Sequence, residues 1–384
     1  MSYYLLPKTS NIISKYLECS YNDEIPQSVI SLSLSTYLYE LKEKIEKEEN
    51  NWSNFKKFTN PYEYIHSVIP NKKHCISKYN PLSRSFFKMV EIIDVFKLCD
   101  QNNPINSFHL AEGPGGFIEA IVNKRNNKED KYYGITLLND QNDNNIPAWK
   151  KSQHFLNNNK NVFIEHGVNN NGDILDYDNL SYCISKYNNK FEFITADGGF
   201  DFSIDFNKQE INIVKLLFAQ ITWALTLQKQ GGHFILKIFD CFMQHTIDII
   251  YILSSCYDKV YIIKPFTSRH ANSEKYIVCK NFNNINNEQL INNICTTFKE
   301  MINIPNDVYI DRFLNIPISN FFITKLEEFN AILGQQQLEN IHNTITLINN
   351  KFKQEKIDTL LKSNLLKSIN WCIKHNIPYN DISV

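Results

Sequence analysis

The chain has 384 residues, of which 43% are hydrophobic, enough to bury one full α/β core and still leave an accessory region. Lys and Arg number 40 and Asp and Glu 41. This balance excludes a histone-like protein that binds nucleic acid over its whole surface. Any nucleic-acid contact must therefore be a local groove.

Cysteine usage and the absence of long apolar runs limit the classes to which this protein can belong. The nine cysteines form an odd set without a C-x-x-C pair, which indicates reduced thiols rather than a disulfide framework or a zinc module. The N-terminus lacks a basic start followed by an apolar stretch, and no run of about 18 apolar residues occurs. We therefore expect a soluble, intracellular protein that is neither secreted nor membrane-spanning.

The pattern of apolar residues divides the chain into three regions. Residues 1–75 are weakly patterned and form an expected N-terminal accessory region, in which the charged run at residues 42–51 is typical of a solvated helix. Residues 76–282 alternate helical and strand-like segments, which predicts a doubly wound α/β sheet. Residues 283–384 are expected to form a C-terminal helical extension.

The central region begins with a predicted helix at residues 85–99, where apolar residues recur at three-four spacing. A strand at 108–111 then leads into a glycine turn. Short apolar segments rich in β-branched or aromatic residues are typical of buried parallel strands, and they lie at residues 132–138, 162–165 and 191–196.

The following segments continue this alternation. A long helix is predicted over residues 209–230, ended by Gly231 and Gly232. Two later strands are expected to form an antiparallel edge joined by the loop at residues 264–274. The remaining predicted elements are strands at 233–238, 260–263 and 275–279 and helices at 247–255, 335–349 and 354–373.

The glycine turn Gly113-Pro114-Gly115-Gly116 follows the first strand of this region. Small residues there let the backbone pass close to a ligand. The third glycine of the dinucleotide-binding fingerprint is missing. Taken alone, such a turn is as often a structural necessity as a ligand site, so its meaning depends on the residues that follow.

Two charged residues lie at the ends of neighbouring predicted strands. Asp197 directly precedes two glycines, so its carboxylate should face the crevice where open parallel sheets bind ligands. Lys237 lies in an apolar strand, where an ammonium group is costly to bury unless it is paired; a solvent-facing edge lysine is the alternative. Lys88, in an apolar helix, and Glu274, before a strand, are each compatible with an ordinary surface charge.

Taken together, six stretches resemble the FtsJ-like ribose 2′-O-methyltransferases, and most closely their mRNA cap-specific branch. They occur in the family's order with similar spacing, so the combination is highly specific. The stretches are 84–88 (RSFFK), 112–117 (EGPGGF), 172–174 (GDI), 196–200 (ADGGF), 231–237 (GGHFILK) and 264–276 (KPFTSRHANSEKY).

This resemblance implies a Rossmann-like sheet that binds S-adenosylmethionine and a catalytic tetrad of Lys88, Asp197, Lys237 and Glu274, with no metal. It places Asp173 and Ile174 near the adenine of the cofactor. The full set of implied cofactor contacts is Ser83, Ala111, Glu112, Gly113, Pro114, Gly115, Gly116, Phe117, Asp173 and Ile174.

Two positions depart from the family pattern. His109 stands where members usually carry an acidic residue at the end of the first strand. Residues 136–139 lack the carboxylate that many methyltransferases use on the cofactor ribose. We expect Glu112 or Asp140 to compensate.

The chemistry of the reaction agrees with the implied tetrad. A ribose hydroxyl is a poor nucleophile at neutral pH, and transfer from a sulfonium requires in-line approach and an acceptor for the hydroxyl proton. A lysine can orient the oxygen and remove the proton when desolvation and a second ammonium favour its neutral form.

The resulting expectation is an mRNA cap ribose 2′-O-methyltransferase that converts cap-0 to cap-1 on the first transcribed nucleotide. The alternatives are methylation of the second nucleotide or another RNA, and a non-catalytic RNA-binding capping subunit on the same fold. Capped mRNA is the expected partner, with room for other capping or transcription proteins. Lys264 and Arg269 are candidate RNA contacts, although surface solvation explains each equally well.

Heavy use of Asn, Ile and Lys is typical of an AT-rich coding genome. Among intracellular compartments, this composition favours the cytoplasm, in a viral factory or virion, and the nucleus is the alternative.

Overall fold

The computed structural model describes residues 3–9, 11–138, 148–199, 207–283, 288–350 and 354–382. The strands are β1 (Tyr3–Leu5), β2 (Leu17–Asn22), β3 (Asn106–Leu110), β4 (Lys131–Ile135), β5 (Val162–Glu165), β6 (Phe191–Ala196), β7 (Gln228–Ile238), β8 (Tyr257–Ile263), β9 (Lys275–Phe282) and β10 (Tyr309–Leu314). The α-helices are α1 (Leu32–Lys47), α2 (Glu49–Thr59), α3 (Ser85–Phe96), α4 (Gly116–Arg125), α5 (Gln153–Asn158), α6 (Tyr177–Tyr187), α7 (Gln209–Asn212), α8 (Val214–Leu227), α9 (Gln244–Cys256), α10 (Glu288–Ile302), α11 (Asn320–Asn349) and α12 (Gln354–Lys374).

An eight-stranded mixed sheet forms the centre of the molecule, in the order β1-β8-β9-β7-β6-β3-β4-β5. Strands β3 to β7 pair in parallel, whereas β9, β8 and β1 pair antiparallel. Helices cover both faces, so the central strands are largely buried. This architecture confirms the predicted Rossmann-like sheet with a helical C-terminal region.

The strand register places the carboxyl ends of three parallel strands side by side at one edge of the sheet. Leu110 pairs with Ala196, and Ala196 pairs with Leu236, so β3, β6 and β7 end side by side. Because β9 is antiparallel, it begins where these strands end, and Tyr276 pairs with Lys237. Residues that follow β3 and β6 or precede β9 therefore meet at this edge.

The prediction of one long helix over residues 209–230 is wrong in its boundaries. It is interrupted after α7, and α8 ends at Leu227, since Gln228 already pairs with β6. The Gln228 side chain accepts a hydrogen bond from the Tyr257 hydroxyl and donates one to the His233 carbonyl at 2.7 Å. Gly231 therefore lies inside β7 at a shift of register, with a left-handed φ of 77° that suits glycine.

The predicted antiparallel pair of strands is present as β8 and β9, but neither is the outermost strand of the sheet. Strand β1, from the N-terminal region, pairs with β8 and covers its free hydrogen-bonding groups. A second sheet joins β2 to β10 across almost 300 residues. The two terminal regions thus pack on each other, with α1 and α2 against α11.

Within the described ranges, the helices lack the combination of length and apolar character that crossing a lipid bilayer requires. All nine cysteines are free thiols.

Candidate active site

Four charged side chains meet at the edge where β6 and β7 end and β9 begins. Asp197 directly follows β6, Lys237 is the penultimate residue of β7, and Glu274 directly precedes β9. Lys88 comes from the first turn of α3, most of whose apolar side chains are buried in the core. The structure therefore assembles all four residues that the sequence singled out. We call Lys88, Asp197, Lys237 and Glu274 the charged cluster.

Lys237 is held by two oxygens of Asp197. Its Nζ donates to the Asp197 main-chain carbonyl at 2.7 Å and lies 3.3 Å from the carboxylate oxygen Oδ1. The Tyr276 hydroxyl donates to the same Oδ1 at 3.1 Å. The Lys237 and Asp197 side chains are 12% and 16% exposed, so a bound substrate can reach this pair.

Lys88 and Glu274 form a second, more deeply buried ion pair. Lys88 Nζ lies 2.7 Å from Oε1 and 2.8 Å from Oε2 of Glu274. Ser268 Oγ donates to Oε1 at 2.8 Å. Lys88 also lies 5.9 Å from the centre of the Tyr276 ring, which connects this pair to Asp197.

Burial and neighbouring charges shift the pKa values of this second pair in opposite directions. Burial lowers the pKa of Lys88, and the facing carboxylate of Glu274 opposes that shift. Burial alone would raise the pKa of Glu274, but Lys88 and Lys237 hold it below its usual range. Desolvation and the charge of Asp197 raise the pKa of Tyr276, so the tyrosine hydroxyl stays protonated and serves as a donor.

Tyr276 and Ser268 are two site residues that the sequence does not predict. Glu274 and Tyr276 are two residues apart and reach the same edge of the sheet, and this period-two spacing was the available signal for Tyr276. Ser268 lies six residues before Glu274 in an irregular loop. Its contact depends on tertiary structure that no periodicity reveals.

The glycine turn lies at the same edge, between β3 and α4. Ala111 and Gly115 adopt left-handed backbone conformations, with φ of 50° and 109°. A Cβ atom on Gly116 would lie only 2.2 Å from the hydroxyl oxygens of both Ser83 and Ser85. Only glycine fits there, so the segment that contains Ser83 lies directly against the turn.

Glu112 is buried in this turn and only partly satisfied. Its Oε1 accepts hydrogen bonds from the main-chain N–H groups of Phe117 and Ile118, at 2.7 and 3.0 Å. Its Oε2 is buried without a hydrogen-bond partner among the described residues. Burial raises the pKa of Glu112 to about 8, with a further contribution from the charge of Asp197. A buried, unpartnered carboxyl oxygen indicates a site for a ligand that donates a hydrogen bond.

Thr136, which directly follows β4, lies between the glycine turn and the loop that contains Asp173 and Ile174. A Cβ on Gly113 would lie 3.0 Å from the Thr136 hydroxyl, and one on Gly172 would lie 2.0 Å from the Thr136 carbonyl. Asp173 is half-buried, and burial raises the pKa of its carboxyl.

Loop 171–174 is therefore tightly fitted beside the glycine turn. The carbonyl of Ile174 accepts a hydrogen bond from Trp223 Nε1 at 2.9 Å, which fixes the loop to α8.

His109 does not replace the missing acidic residue of the family pattern. It is fully buried within β3, and its ring nitrogens lie 2.7 Å from the hydroxyls of Ser107 and Thr195. Burial lowers its pKa to about 3, so the ring is neutral and bound inside the sheet. Of the two residues expected to compensate, Glu112 lies in the turn as described, and Asp140 lies outside the described residues.

Lys264 and Arg269 are engaged within the protein and are not free surface charges. Lys264 is buried, its ammonium donates to the main-chain carbonyls of Asn272 and Glu274, and burial lowers its pKa to about 7. This position does not support the expectation that Lys264 contacts RNA. Arg269 is paired with Glu63 at 2.6 and 2.9 Å, but its side chain remains 27% exposed.

Comparison with known proteins agrees with this geometry. A family model described as FtsJ-like methyltransferase matches residues 81–282, more than half of the chain. The chain belongs to the FtsJ-like methyltransferase family. The tetrad positions and the glycine turn all fall within the matched residues.

Curated relatives of this FtsJ-like protein are named as cap-specific enzymes. The human cap-specific mRNA (nucleoside-2′-O-)-methyltransferase 1 is 32% identical over 246 residues, which cover 58% of this chain and 27% of the human protein. The zebrafish methyltransferase 1 is 36% identical over 176 residues, covering 44% of this chain and 21% of that protein. The Drosophila melanogaster methyltransferase 2 is 30% identical over 195 residues, covering 47% and 27%. The chain thus spans about a quarter of the length of these relatives.

Members of this family use S-adenosylmethionine, and the residues at the glycine turn fit that cofactor. Glu112 supplies a buried carboxyl oxygen without a partner in the described part of the chain, beside a left-handed backbone turn. The cofactor carries an amino group that can donate to such an oxygen. Asp173 lies on the far side of Thr136 with a half-buried carboxyl. We therefore expect the turn and Glu112 to hold the methionine end, with Asp173 and Ile174 on the adenosine side.

Proposed function

We propose that this FtsJ-like protein is an mRNA cap ribose 2′-O-methyltransferase that acts on the first transcribed nucleotide. It converts cap-0 to cap-1 and takes the methyl group from S-adenosylmethionine. The observation that supports the proposal best is the meeting of Lys88, Asp197, Lys237 and Glu274 at one edge of the sheet, beside the glycine turn.

In the proposed mechanism, Lys237 is the residue that faces the ribose 2′-hydroxyl. In its neutral form, its Nζ would orient the oxygen for in-line attack and accept the hydroxyl proton as the new O–C bond forms and the methyl–sulfur bond of the cofactor breaks. Asp197 holds that Nζ through two oxygens, and Tyr276 restrains the carboxylate. S-adenosylmethionine, when bound, supplies an electrophilic methyl group on a sulfonium.

The Lys88 and Glu274 pair provides a fixed, nearly neutral wall on the other side of Tyr276. Both charges are buried, and Lys88 Nζ lies 2.7 Å from Glu274 Oε1. Neither side chain can therefore rotate away without losing its partner. This pair is therefore suited to positioning the substrate ribose against Lys237 rather than to exchanging a proton itself.

The proposal is tested by methyl transfer from labelled S-adenosylmethionine to short RNAs that are capped, uncapped or already methylated on the first ribose. We expect label only on capped RNA whose first ribose is free, and nuclease digestion should recover it in the first nucleotide. A folded protein that binds the cofactor but labels none of these RNAs would refute the proposal and would leave the non-catalytic capping subunit.

Methylation of the second nucleotide is the alternative that a specific observation favours. The similar Drosophila protein is named cap-specific methyltransferase 2. The same digestion distinguishes the two activities, because label in the second nucleotide, retained on RNA already methylated at the first ribose, would support the alternative.

A further inference from the structure

A buried ion pair joins the N-terminal accessory region to the methyltransferase domain. Lys42 of α1 is 3% exposed, and its Nζ lies 2.6 Å from Oδ2 of Asp240. Asp240 is also buried and lies two residues beyond the end of β7, three residues after Lys237. Lys42 lies outside residues 81–282, the part of the chain that the family model matches, whereas Asp240 lies inside it. The accessory region therefore supplies a buried cation to the domain that carries the charged cluster.

The other carboxylate oxygen of Asp240 faces Lys275, the residue that directly follows Glu274. Lys275 is buried, and its Nζ lies 3.5 Å from Oδ1 of Asp240. The same Nζ donates at 3.0 Å to the main-chain carbonyl of Ser273, the residue directly before Glu274, and at 3.1 Å to that of Phe239. One lysine thus ties together the main chain on both sides of Glu274.

Lys42 neutralises a carboxylate that would otherwise draw Lys275 towards it. Burial alone would raise the pKa of Asp240, but Lys42 and Lys275 hold it below its usual range. Removing Lys42 would leave Lys275 as the ion-pair partner of this buried carboxylate within the described part of the chain. Because opposite charges attract strongly in a buried environment, we expect the Lys275 ammonium to move towards Asp240 and away from the Ser273 carbonyl.

We propose that Lys42 is a positioning residue for methyl transfer, which holds Glu274 in place through Asp240 and Lys275. The inference rests on the proposed function and gives the N-terminal accessory region a part in the reaction. With Lys42 in place, Lys275 retains its contact with the Ser273 carbonyl. This contact fixes the main chain from which the Glu274 side chain reaches Lys88.

A direct contact with RNA is the other role that Lys42 could have. Lys42 borders a cavity of about 620 Å³ beside the loop that leads into Glu274. The two roles differ in their kinetics. Loss of a contact that serves only binding raises the KM for RNA, whereas displacement of a group needed in the transition state lowers kcat.

The first test is steady-state methylation of capped RNA by the full chain that carries Lys42→Met. We expect kcat to fall about tenfold to 100-fold, since a misplacement of about 1 Å costs up to about 100-fold, while the KM values for RNA and S-adenosylmethionine stay unchanged. Lys44→Met is the matched control, because it removes the same charge from an exposed position of the same helix. An unchanged kcat in a folded Lys42→Met protein, or a change confined to the KM for RNA, would overturn the inference.

A double-mutant cycle tests whether Lys42 acts through Asp240. Asp240→Asn removes the carboxylate that Lys42 neutralises, so adding Lys42→Met to Asp240→Asn should leave kcat nearly unchanged. The double variant contains no unpaired carboxylate at this position, so it should fold even where Lys42→Met alone is too unstable to assay. Thermal melting shows which variants are folded. If the two losses of activity multiply, Lys42 acts by another route and the inference is wrong.

Hydrogen exchange followed by mass spectrometry gives a readout that does not depend on the reaction. In Lys42→Met, the main-chain amides of residues 264–276 should exchange about tenfold faster, as local opening becomes more frequent. Strand β5, at the far edge of the sheet, should exchange at its original rate, whereas a general loss of stability would accelerate both segments. Equal exchange of residues 264–276 in Lys42→Met and Lys44→Met would contradict the proposed role.

The inference and the proposed function fail differently. If the natural protein methylates capped RNA and folded Lys42→Met has the same kcat, the proposed function stands and the inference is wrong. If the natural protein methylates no capped RNA, the proposed function is wrong, and the exchange experiment still decides whether Lys42 holds the segment around Glu274.

Discussion

Lys237 and Tyr276 are paired across the antiparallel strands β7 and β9, and both side chains contact the same carboxylate oxygen of Asp197. The strand pairing fixes the distance between the two Cα atoms, and the shared oxygen fixes the two polar ends. The position of the Lys237 amine is therefore determined by the sheet itself rather than by a flexible loop. This rigidity makes Lys237 the most informative residue to change.

Lys237→Ala should nearly abolish methyl transfer while preserving the fold. Loss of an orienting group and proton acceptor lowers rates by about 100-fold to 10,000-fold. Lys237→Arg should not restore the rate, because a guanidinium stays protonated. Single-turnover methylation of capped RNA, compared with thermal melting and cofactor affinity, measures both effects. A folded Lys237→Ala protein with near-normal turnover would exclude the proposed mechanism.

Glu274→Gln should destabilise the protein by about 3 kcal/mol, because it leaves the buried Lys88 ammonium without its carboxylate. Urea unfolding measures this change. The double variant Lys88→Met with Glu274→Leu should regain part of the lost stability and remain inactive, which separates the structural role of the pair from its role in the reaction. If the double variant retained activity, Lys88 and Glu274 would be structural only.

Glu274 should also make the stability of the protein sensitive to acid. Since the folded state holds the pKa of Glu274 below its usual range, its contribution to stability is present above the unfolded pKa of about 4.3 and is lost as the pH falls below it. Glu274→Gln should lack this part of the acid-induced loss. Unfolding curves of both proteins, measured from pH 7 to pH 3, should therefore converge on acidification.

Glu112 should give the opposite dependence on pH. Its pKa is raised to about 8 by burial, so its favourable contribution is complete below the unfolded pKa of about 4.3 and is lost as the pH rises towards 8. Glu112→Gln, which cannot ionise, should therefore gain stability relative to the natural protein between pH 5 and pH 8. Urea midpoints at several pH values test this, and a constant difference between the two proteins would contradict it.

Asp173→Ala should weaken S-adenosylmethionine binding by about tenfold but leave the rate at saturating cofactor nearly unchanged, because a contact to the adenosine serves binding in ground and transition states alike. Asp178→Ala is a suitable control, since it removes an exposed carboxylate five residues further along the chain. Calorimetric titration compares the affinities. Equal affinity in the two variants would remove Asp173 from the cofactor site.

The charged cluster could be predicted because its members adjoin regular elements. Asp197 and Lys237 lie at the ends of apolar strands, and parallel strands deliver their ends to one edge of a sheet. The resemblance to the FtsJ-like family supplied Lys88 and Glu274, which look like surface charges when considered alone.

Long-range contacts were not predictable in the same way. The pairings of β1 with β8 and of β2 with β10 join segments more than 250 residues apart. The charged run that contains Lys42 is typical of a solvated helix and Lys264 is a candidate RNA contact or solvated surface charge, yet both lysines are buried, and Lys42 Nζ lies 2.6 Å from Asp240. The partners that allow these lysines to be buried come from distant parts of the chain, so local patterns give no sign of them.

A cavity of about 620 Å³ beside the loop that leads into Glu274 is bounded by α1, α2 and α11, which lie far apart in the chain, and this imposes an order on its assembly during translation. All four residues of the charged cluster have left the ribosome before α11 is synthesised, since Glu274 precedes Asn320. A nascent chain that stops short of α11 would contain the whole charged cluster but only part of the cavity wall. Translation thus supplies the charged cluster first and completes the cavity wall last.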